Sequence, residues 1–550
     1  METKHVLTLL TTLACLLIPE VVLADNPSDE GYSVSTEVSA KGVLLEEFTG
    51  INCGWCPQGH AIAAKLAKAS PEVYVVAVHA GSFSTPAYDE PDFRTVEGEN
   101  IVKEFNVERS GYPSGMVNRH DFYDTGNPVC ARSSWKPYTK LGVAETAPVN
   151  LLVTSGYDGT TRELTVHVEG YYTADAQADN QALCVLWTQD NIMGPQNGGL
   201  VGDEYMHQHV LRGYLTDLWG EALDSPAKGK YFSRDYKITL PESIKEVEVK
   251  PGDVRIIAYV MSDKRDIQNV TGCKPVYSNY DMPLGGELAE PKIPIGSYWG
   301  CSFFELELTN KSDKAITEAT FDIDVNGKVV TASWSGEIPS FETKEIVVRC
   351  NYDIKDKGQN SYKISLRSIN GQNVDESSLS GIFTSPISAT PDITIKINTN
   401  NEADENHFYV KDADGNVVKE FGPYPAGKVT QATENITLDA DKIYYIEVTD
   451  FWGDGMYTPM GYYTAHSSDG SLIEQMYDIP DFGVRSIFRT SKETTGIGGV
   501  AVNAVGGSVT VYRLDGTVVY AGKRDGMNLP AGVYVIYDDA ARTVTKQIIK

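Results

Sequence analysis

Apolar residues in this chain follow two rhythms, and the changeover falls near residue 148. From Lys41 to about Ala147 the texture is mixed α/β. Gly42-Val43-Leu44-Leu45 begins a strand, and Val73 to Val78 is a second apolar run, nearly unbroken as a buried parallel strand should be. Between them Ala61, Ile62, Ala64 and Leu66 have the spacing of an amphipathic helix that stops before Pro71. After Pro148 strands dominate. Leu164, Val166 and Val168 alternate with polar residues, and Ala182 to Trp187 is a more continuous run. From about Pro291 to Pro386 the alternation is clearer still. Phe321, Ile323 and Val325 lead into Asn326-Gly327, the preferred two-residue hairpin turn, and Tyr362, Ile364 and Leu366 precede another at Asn370-Gly371. These are signs of β-sandwich modules.

The pattern predicts a multidomain protein: an α/β domain over 41–147, a β-rich domain over 148–288, a β-sandwich over 291–388, a β-rich accessory domain over 389–489 and a small β segment over 496–550. The last is too small to bury a large core. The length of 550 residues suits three to five domains at about 150 residues each. An apolar fraction of 41% supplies ordinary cores, and a formal net charge of −28 disfavours nucleic acid and anionic membrane surfaces as partners.

The N-terminus reads as an export signal. Lys4 and His5 precede an apolar run from Val6 to Ile18, and Val22-Leu23-Ala24 fits a signal-peptidase site, so residues 1–24 are expected to be removed after Ala24. Removal of Cys15 leaves seven cysteines: Cys53, Cys56, Cys130, Cys184, Cys273, Cys301 and Cys350. Outside the cytoplasm the distant ones read as structural disulfides rather than metal ligands. Cys301 and Cys350 flank a strand-rich segment, and a bridge between them is the preferred pairing. Partners for Cys130, Cys184 and Cys273 stay open.

Cys53-Gly54-Trp55-Cys56-Pro57 is the strongest chemical signal. A zinc half-site would need a second ligand pair, and no other C-x-x-C or suitably spaced Cys/His pair exists in the chain. An inert structural disulfide and a redox pair are the other readings. The motif follows a strand and opens a helix, where the dipole and free N–H groups stabilise a thiolate on the first cysteine. This context favours redox work.

From Glu47 to Cys56 the chain resembles thioredoxin-fold proteins. The resemblance implies that Glu47, six positions before Cys53, sits beneath the disulfide and assists proton transfer from Cys56. Gly111-Tyr112-Pro113-Ser114 is similar to that family's cis-proline loop, which implies that Pro113 lies against the disulfide. The implied chemistry is thiol–disulfide exchange, with Cys53 as the reacting sulfur and Cys56 resolving the mixed disulfide. Gly54-Trp55 matches neither the reducing nor the isomerase pair of the family, so direction stays open.

Other candidates are weaker. His60 lies four residues after Cys56 and reads as a solvated helix histidine; His207 and His209 share strand spacing without a completing ligand set. Asp450-Phe451-Trp452-Gly453-Asp454-Gly455 joins carboxylates to turn glycines, making Asp450 and Asp454 a weak calcium candidate beside the reading as an ordinary turn. Asp412, Asp414 and Gly415 form a fainter acidic turn. No metal and no cofactor are expected.

From about Val43 to Val276 the chain resembles the Omp28-related outer membrane proteins of Bacteroidetes, through Leu45 to Gly50 with the C-x-x-C, Gly111-Tyr112-Pro113, and His207-Gln208-His209-Val210-Leu211-Arg212. The C-terminus is similar to a type IX secretion sorting domain, through Val511-Tyr512-Arg513-Leu514-Asp515-Gly516, Leu529-Pro530-Ala531-Gly532-Val533-Tyr534 and Lys546 to Lys550. Together these imply an exported protein at the outer membrane or cell surface, or secreted. Its expected function is that of a thiol–disulfide oxidoreductase. The alternative is a surface adhesin or binding protein with a structural Cys53–Cys56 bond on a non-catalytic scaffold. The expected partners are protein thiols or disulfides, the type IX secretion machinery and surface ligands of the β modules, with no nucleic acid.

Overall fold

Two apolar runs buried on both faces organise the N-terminal half. β1 (Val43–Thr49) is buried at every position and β2 (Val73–His79) at all but one, and they pair in parallel from Val43↔Val73 to Thr49↔His79. The computed structural model describes residues 32–491 except positions 177, 179, 200–203, 225, 376, 458 and 478. It also describes strands between 508 and 549. The signal segment with Ala24, and the parts of the C-terminal motif at Leu514 to Gly516, Ala531 and Lys550, lie outside the described residues.

α1 (Cys56–Ala69) crosses from β1 to β2; α2 (Val96–Glu104) follows β2. β3 (Ser114–Val117) lies antiparallel on the other side of β1, with β4 (Cys130–Ala131) at the edge and α3 (Trp135–Val143) after it. The helices divide between the faces. α1 and α3 cover one core built on Val43, Leu45, Ala63, Leu66, Val75 and Trp135. α2 covers the other, built on Leu44, Phe48, Val76, Val78, Ile101 and Phe105.

The sheet does not stop at residue 147. β5 (Val149–Asp158) and β6 (Glu163–Tyr172) form a hairpin in a second layer, and β7 (Gln181–Gln189) returns to the main sheet. β8 (Ile192–Gly194) and β9 (Tyr205–His207) pair as a small ribbon. β10 (Val210–Tyr214) then meets the free edge of β2 in parallel, where the Ala77 N–H donates to the His209 carbonyl at 2.8 Å. After β11 (Glu221–Ala222), β12 (Tyr231–Thr239) and the short pair β13 (Ser243–Ile244) and β14 (Val247–Glu248), β15 (Val254–Ser262) and β16 (Arg265–Cys273) extend that sheet. Its order is β4-β3-β1-β2-β10-β7-β15-β16, with β11 beside β7. The second layer, β12-β6-β5 with β17 (Val276–Ser278), packs on the β7–β15 half. The continuous run on β7 has its reason here: Leu183, Val185 and Trp187 face that layer, whereas Cys184 and Leu186 face the α2 core.

One buried ion pair of the first segment lies where the second packs on it. Arg119, just past β3, donates to both oxygens of Glu46 at 2.7 and 2.6 Å, and both side chains are fully buried. Arg119 also donates to the Tyr259 hydroxyl at 3.2 Å, and its guanidinium lies against the rings of Phe105, Trp219 and Tyr259.

Beyond residue 285 the described residues are strand-dominated, with one 3-10 turn at Ile295–Tyr298. Gly286–Ala289, Phe303–Asn310 and Thr343–Arg349 form one sheet of a sandwich, and Ile316–Val325, Lys328–Ile338 and Gln359–Ile369 the centre of the other. Asn326 and Gly327 both have positive φ, which closes the tight hairpin there. A second sandwich joins the sheet containing Ile443–Asp450 and Gly483–Thr490 to the one containing Asp392–Asn398 and Tyr462–Ser467. The C-terminal strands Ser508–Arg513, Val518–Lys523, Gly532–Asp538 and Thr543–Ile549 make a four-stranded antiparallel sheet. No helix among the described residues is long and apolar enough to cross a membrane.

The expected Cys301–Cys350 bridge is not formed; both are free thiols. The register explains this. Phe303 faces Arg349 and the Cys350 N–H donates to the Ser302 carbonyl at 3.0 Å, so Cys350 alternates onto the sandwich-core face of Phe304 and Val348. Cys301 falls on the opposite face, with Phe303. Cys130, Cys184 and Cys273 are likewise free thiols.

The second sandwich docks on the α1–α3 face. Trp452 is buried in the core of that face, and the Lys136 ammonium reaches Glu402, Glu405 and Asp454 at 2.8, 2.9 and 2.7 Å.

Removing one partner of the Glu46–Arg119 pair strands a buried charge. Arg119→Met should therefore destabilise the N-terminal unit by about 3–5 kcal/mol in urea unfolding followed by tryptophan fluorescence, and Glu46→Leu combined with it should recover much of the loss.

Candidate functional site

The strand-to-helix turn after β1 carries the cysteine pair. Cys53 and Cys56 are joined by a disulfide, Cys56 opens α1, and Pro57 occupies its first turn, where a missing N–H costs nothing. No side chain caps this helix end, and the helix dipole there favours negative charge on sulfur. Trp55 between the cysteines is 62% exposed, with the Arg132 guanidinium 5.9 Å from its ring centre.

Cys53 itself is only 2% exposed, and Gln196 to Gly198, after β8, lie against the backbone of its turn. The Gln196 amide donates to the Gly50 and Cys53 carbonyls at 3.2 and 3.0 Å. The Asn197 N–H donates to the Ile51 carbonyl at 2.7 Å, and its side-chain amide to the Asn52 carbonyl at 3.2 Å. Gly198 sits so close that a Cβ there would lie 2.1 Å from the Gly54 carbonyl oxygen, and its φ of +77° independently favours glycine.

Glu47 points to the α1 side of β1, opposite to Glu46. A Cβ added at Gly59 would meet the Glu47 Oε1 at 2.5 Å, the Pro113 Cβ at 3.0 Å and the Trp135 ring at 3.1 Å. Glu47, Pro113 and Trp135 therefore converge on the helix face that Gly59 shares with Cys56, three residues back. The Tyr112–Pro113 peptide is cis. Burial raises the Glu47 carboxyl well above its ordinary range, favouring the protonated acid. Its Oε1 has no hydrogen-bond partner among the described residues.

Beside this carboxyl opens a cavity of about 250 Å³, lined by Glu47, Pro57, His60, His79, Tyr205 and His207 with small alanines between them. His60, expected to be solvated, is instead built in: one ring nitrogen lies 2.8 Å from the Thr49 hydroxyl and the other 2.7 Å from the Tyr205 hydroxyl. Its Nε2 is 3.8 Å from the Glu47 Oε1. Burial, with His207 and His209 nearby, pushes His60 down to about 3. Burial alone takes His207 down to about 4, opposed by a bond to the Pro195 carbonyl. His79 is buried with neither ring nitrogen partnered among the described residues, and burial, followed by His207, His60 and Arg212 nearby, drives it well below 6.5.

The other sequence candidates lie elsewhere. His207 and His209 are not a pair: His207 turns toward His79 and Phe93, and His209 binds Asp190 at 3.1 Å. Asp450 is buried and accepts N–H groups of its own loop from Gly453 and Asp454, as an ordinary turn would have it. Among the described residues the only three metal-ligating groups within 4.8 Å of one another are Glu402, Glu405 and Asp454, which already surround Lys136. His79, Tyr205, Gln196 and Arg119 were missed in sequence. His79 ends a buried strand, and the rest come from segments brought in by the long-range sheet.

Residues 100–278 match the family model described as outer membrane protein Omp28. No curated protein matches the chain. Among solved structures, HBP35 of Porphyromonas gingivalis is 19% identical over 63% of this chain and 99% of its own, with a TM-score of 0.33. A domain of the outer membrane lipoprotein Omp28 from Porphyromonas gingivalis is 19% identical over 24% of this chain and 91% of its own, with a TM-score of 0.18. The matched segment is similar to Omp28, and the location of the protein is the outer membrane or cell surface. That segment holds Pro113, Arg119, Gln196, Tyr205 and His207, but neither Cys53 nor Cys56.

The buried histidines couple stability to acid. Their folded pKa values lie below the unfolded value, so the unfolded chain binds more protons between about 6.5 and 3. Stability is then present above 6.5 and lost as pH falls. Glu47, shifted upward, works in the opposite sense above its unfolded value. The melting temperature should drop from pH 7 to pH 4, and drop less in His79→Leu, in thermal scans at a series of pH values.

Proposed function

We propose that this is a cell-surface thiol–disulfide oxidoreductase of thioredoxin-like architecture, with the Cys53–Cys56 pair as its redox centre. The observation that carries the reading is the buried Glu47 carboxyl packed, with Pro113, against the helix turn that Cys56 opens. A protonated acid there supplies the proton that Cys56 needs as a leaving group, and the bare helix end favours thiolate on Cys53. The arrangement β2-β1-β3-β4, with β1 and β2 parallel and a helix after β1, β2 and β4, agrees with a thioredoxin-like core. The export signal and the antiparallel C-terminal sheet, read as a removable type IX sorting domain, agree with delivery to the surface.

A second reading has its own observation. The cover over Cys53 suits a structural disulfide on a binding scaffold, with the two β sandwiches as the working surfaces.

An insulin-reduction or scrambled-substrate refolding assay on the exported protein separates the two. Activity that disappears in Cys53→Ser and rises in Gln196→Ala, which removes two of the bonds holding the cover, supports the redox reading. Equal activity in wild type and Cys53→Ser would sink it. For routing, the expectation is that mass spectrometry of surface protein finds chains lacking the segment from about 496 onward; intact chains ending at Lys550 would contradict it.

A further inference from the structure

We propose that Glu402, Glu405 and Asp454 form a calcium site on the second sandwich, and that Lys136 holds this site as a tethered competitor when the sandwich docks on α1 and α3. The proposal is independent of the redox reading above.

The three carboxylates come from two neighbouring loops. Glu402 and Glu405 precede the strand Asn406–Asp412, and Asp454 follows the strand Ile443–Asp450, which pairs with it through Asn406↔Asp450. One oxygen from each carboxylate lies within 4.8 Å of the others. The Lys136 ammonium stands among them, 2.8 Å from Glu402 Oε2, 2.9 Å from Glu405 Oε2 and 2.7 Å from both Asp454 oxygens. Glu405 is buried, whereas the side chains of Glu402 and Asp454 are 43% and 42% exposed, so the cage has an opening to solvent.

Lys136 satisfies this cage only in part. An ammonium has three N–H donors. They go to Glu402 and to both oxygens of Asp454, and Glu405 Oε2 makes no hydrogen bond despite its 2.9 Å approach. Asp450 lies behind the cage and is 3% exposed. Its Oδ1 accepts the Gly453 and Asp454 N–H groups, which sets its carboxyl beneath the loop that carries Asp454. Its Oδ2 is buried with no partner among the described residues, and the charges that act on it are those of Asp454, Glu405 and Lys136. Four carboxylates therefore share two ammonium groups, Lys136 and Lys140, and Lys140 also serves Asp404. A buried carboxylate oxygen without a donor is costly, and a divalent ion, which has no directional donors to place, meets several at once.

The cage selects among ions. An all-oxygen donor set suits hard cations. The ammonium stands 2.7–2.9 Å from the cage oxygens, and calcium takes oxygen ligands at about 2.3–2.6 Å in irregular geometry. A contraction of about 0.3 Å is enough for it, whereas magnesium needs about 2.0–2.1 Å and a near-ideal octahedron. Asp454, with both oxygens at the same distance from the ammonium, is placed to bind calcium through both. Because Lys136 belongs to α3, the ion and the docked unit draw on the same oxygens. Calcium therefore weakens this contact, and Trp452, buried in the core of the α1–α3 face, remains as the second attachment.

The test titrates CaCl2 and MgCl2 into the chelator-treated full chain by calorimetry. Wild type should bind one Ca2+ with a Kd of about 10⁻⁴–10⁻³ M, as extracellular modules do, and Mg2+ about ten-fold more weakly or worse. Lys136→Met removes the tethered cation and should bind Ca2+ about ten-fold more tightly than wild type. Asp450→Asn should weaken binding in either background, and Glu405→Gln combined with Asp454→Asn should abolish it. Glu402→Gln and Asp454→Asn, each at a half-exposed position of the wild-type chain, should weaken binding about three-fold or more, a readout that does not need the Lys136 variant. Absence of Ca2+ binding in both wild type and a folded Lys136→Met would overturn the site. Equal affinity in these two would overturn the competition. Unchanged affinity in Glu402→Gln and Asp454→Asn would put the ion elsewhere and overturn the proposal as a whole.

Discussion

Glu46 and Glu47 are neighbours in sequence on a strand that is buried along its whole length, so the pleat sends their carboxyl groups into opposite cores. Few arrangements cost more, and the rest of the N-terminal unit answers it. On one face Glu46 is held by both arms of the Arg119 fork, itself enclosed by aromatic rings from both segments. On the other, Glu47 has no cation to meet it and is relieved by protonation beside a polar cavity. One carboxylate is thus spent on assembly, and its neighbour is left in the state that proton transfer requires.

The same economy explains why the cysteine motif cannot be understood apart from the segment after residue 148. The β2 edge is closed by β10, and the chain leading into β10 brings Gln196, Gly198, Tyr205 and His207 over the disulfide and into the cavity wall. A mixed sheet that merges two segments removes an exposed edge and delivers side chains to the face that carries the cysteine pair in one step. On the opposite side, Trp452 and the carboxylates around Lys136 hold the second sandwich against α1 and α3, which limits how far those helices can shift when the disulfide opens.

Sequence made some of this legible, for physical reasons that can be named. The unbroken runs at Val43 and Val73 and the helix between them were visible because burial on both faces leaves no polar interruption. The Asn-Gly turn at 326–327 was visible because positive φ at two successive residues restricts composition. The Cys301–Cys350 pairing failed because flanking a strand says nothing about which face each residue takes, and one register step separates them. His60 was misjudged because its burial comes from β9, more than 140 residues away. Arg119, likewise, carries no local mark that its partner lies on a strand 73 positions earlier.

The cover over Cys53 opposes the proposed exchange, and its magnitude sets by how much. Four hydrogen bonds from Gln196 and Asn197 hold it, each worth about 0.5–1.5 kcal/mol net of water, so local opening costs on the order of 2–6 kcal/mol. That range corresponds to open populations of roughly one in thirty to one in thirty thousand, well inside the local openings that folded proteins undergo. Such a cover slows encounter with small thiols without forbidding it. It favours substrates whose own backbone can replace Gln196 on the Gly50 and Cys53 carbonyls, because only those recover the bonds broken on opening. On the proposed redox reading, a covered disulfide at a cell surface would be shielded from indiscriminate exchange and open to a partner that binds before it reacts.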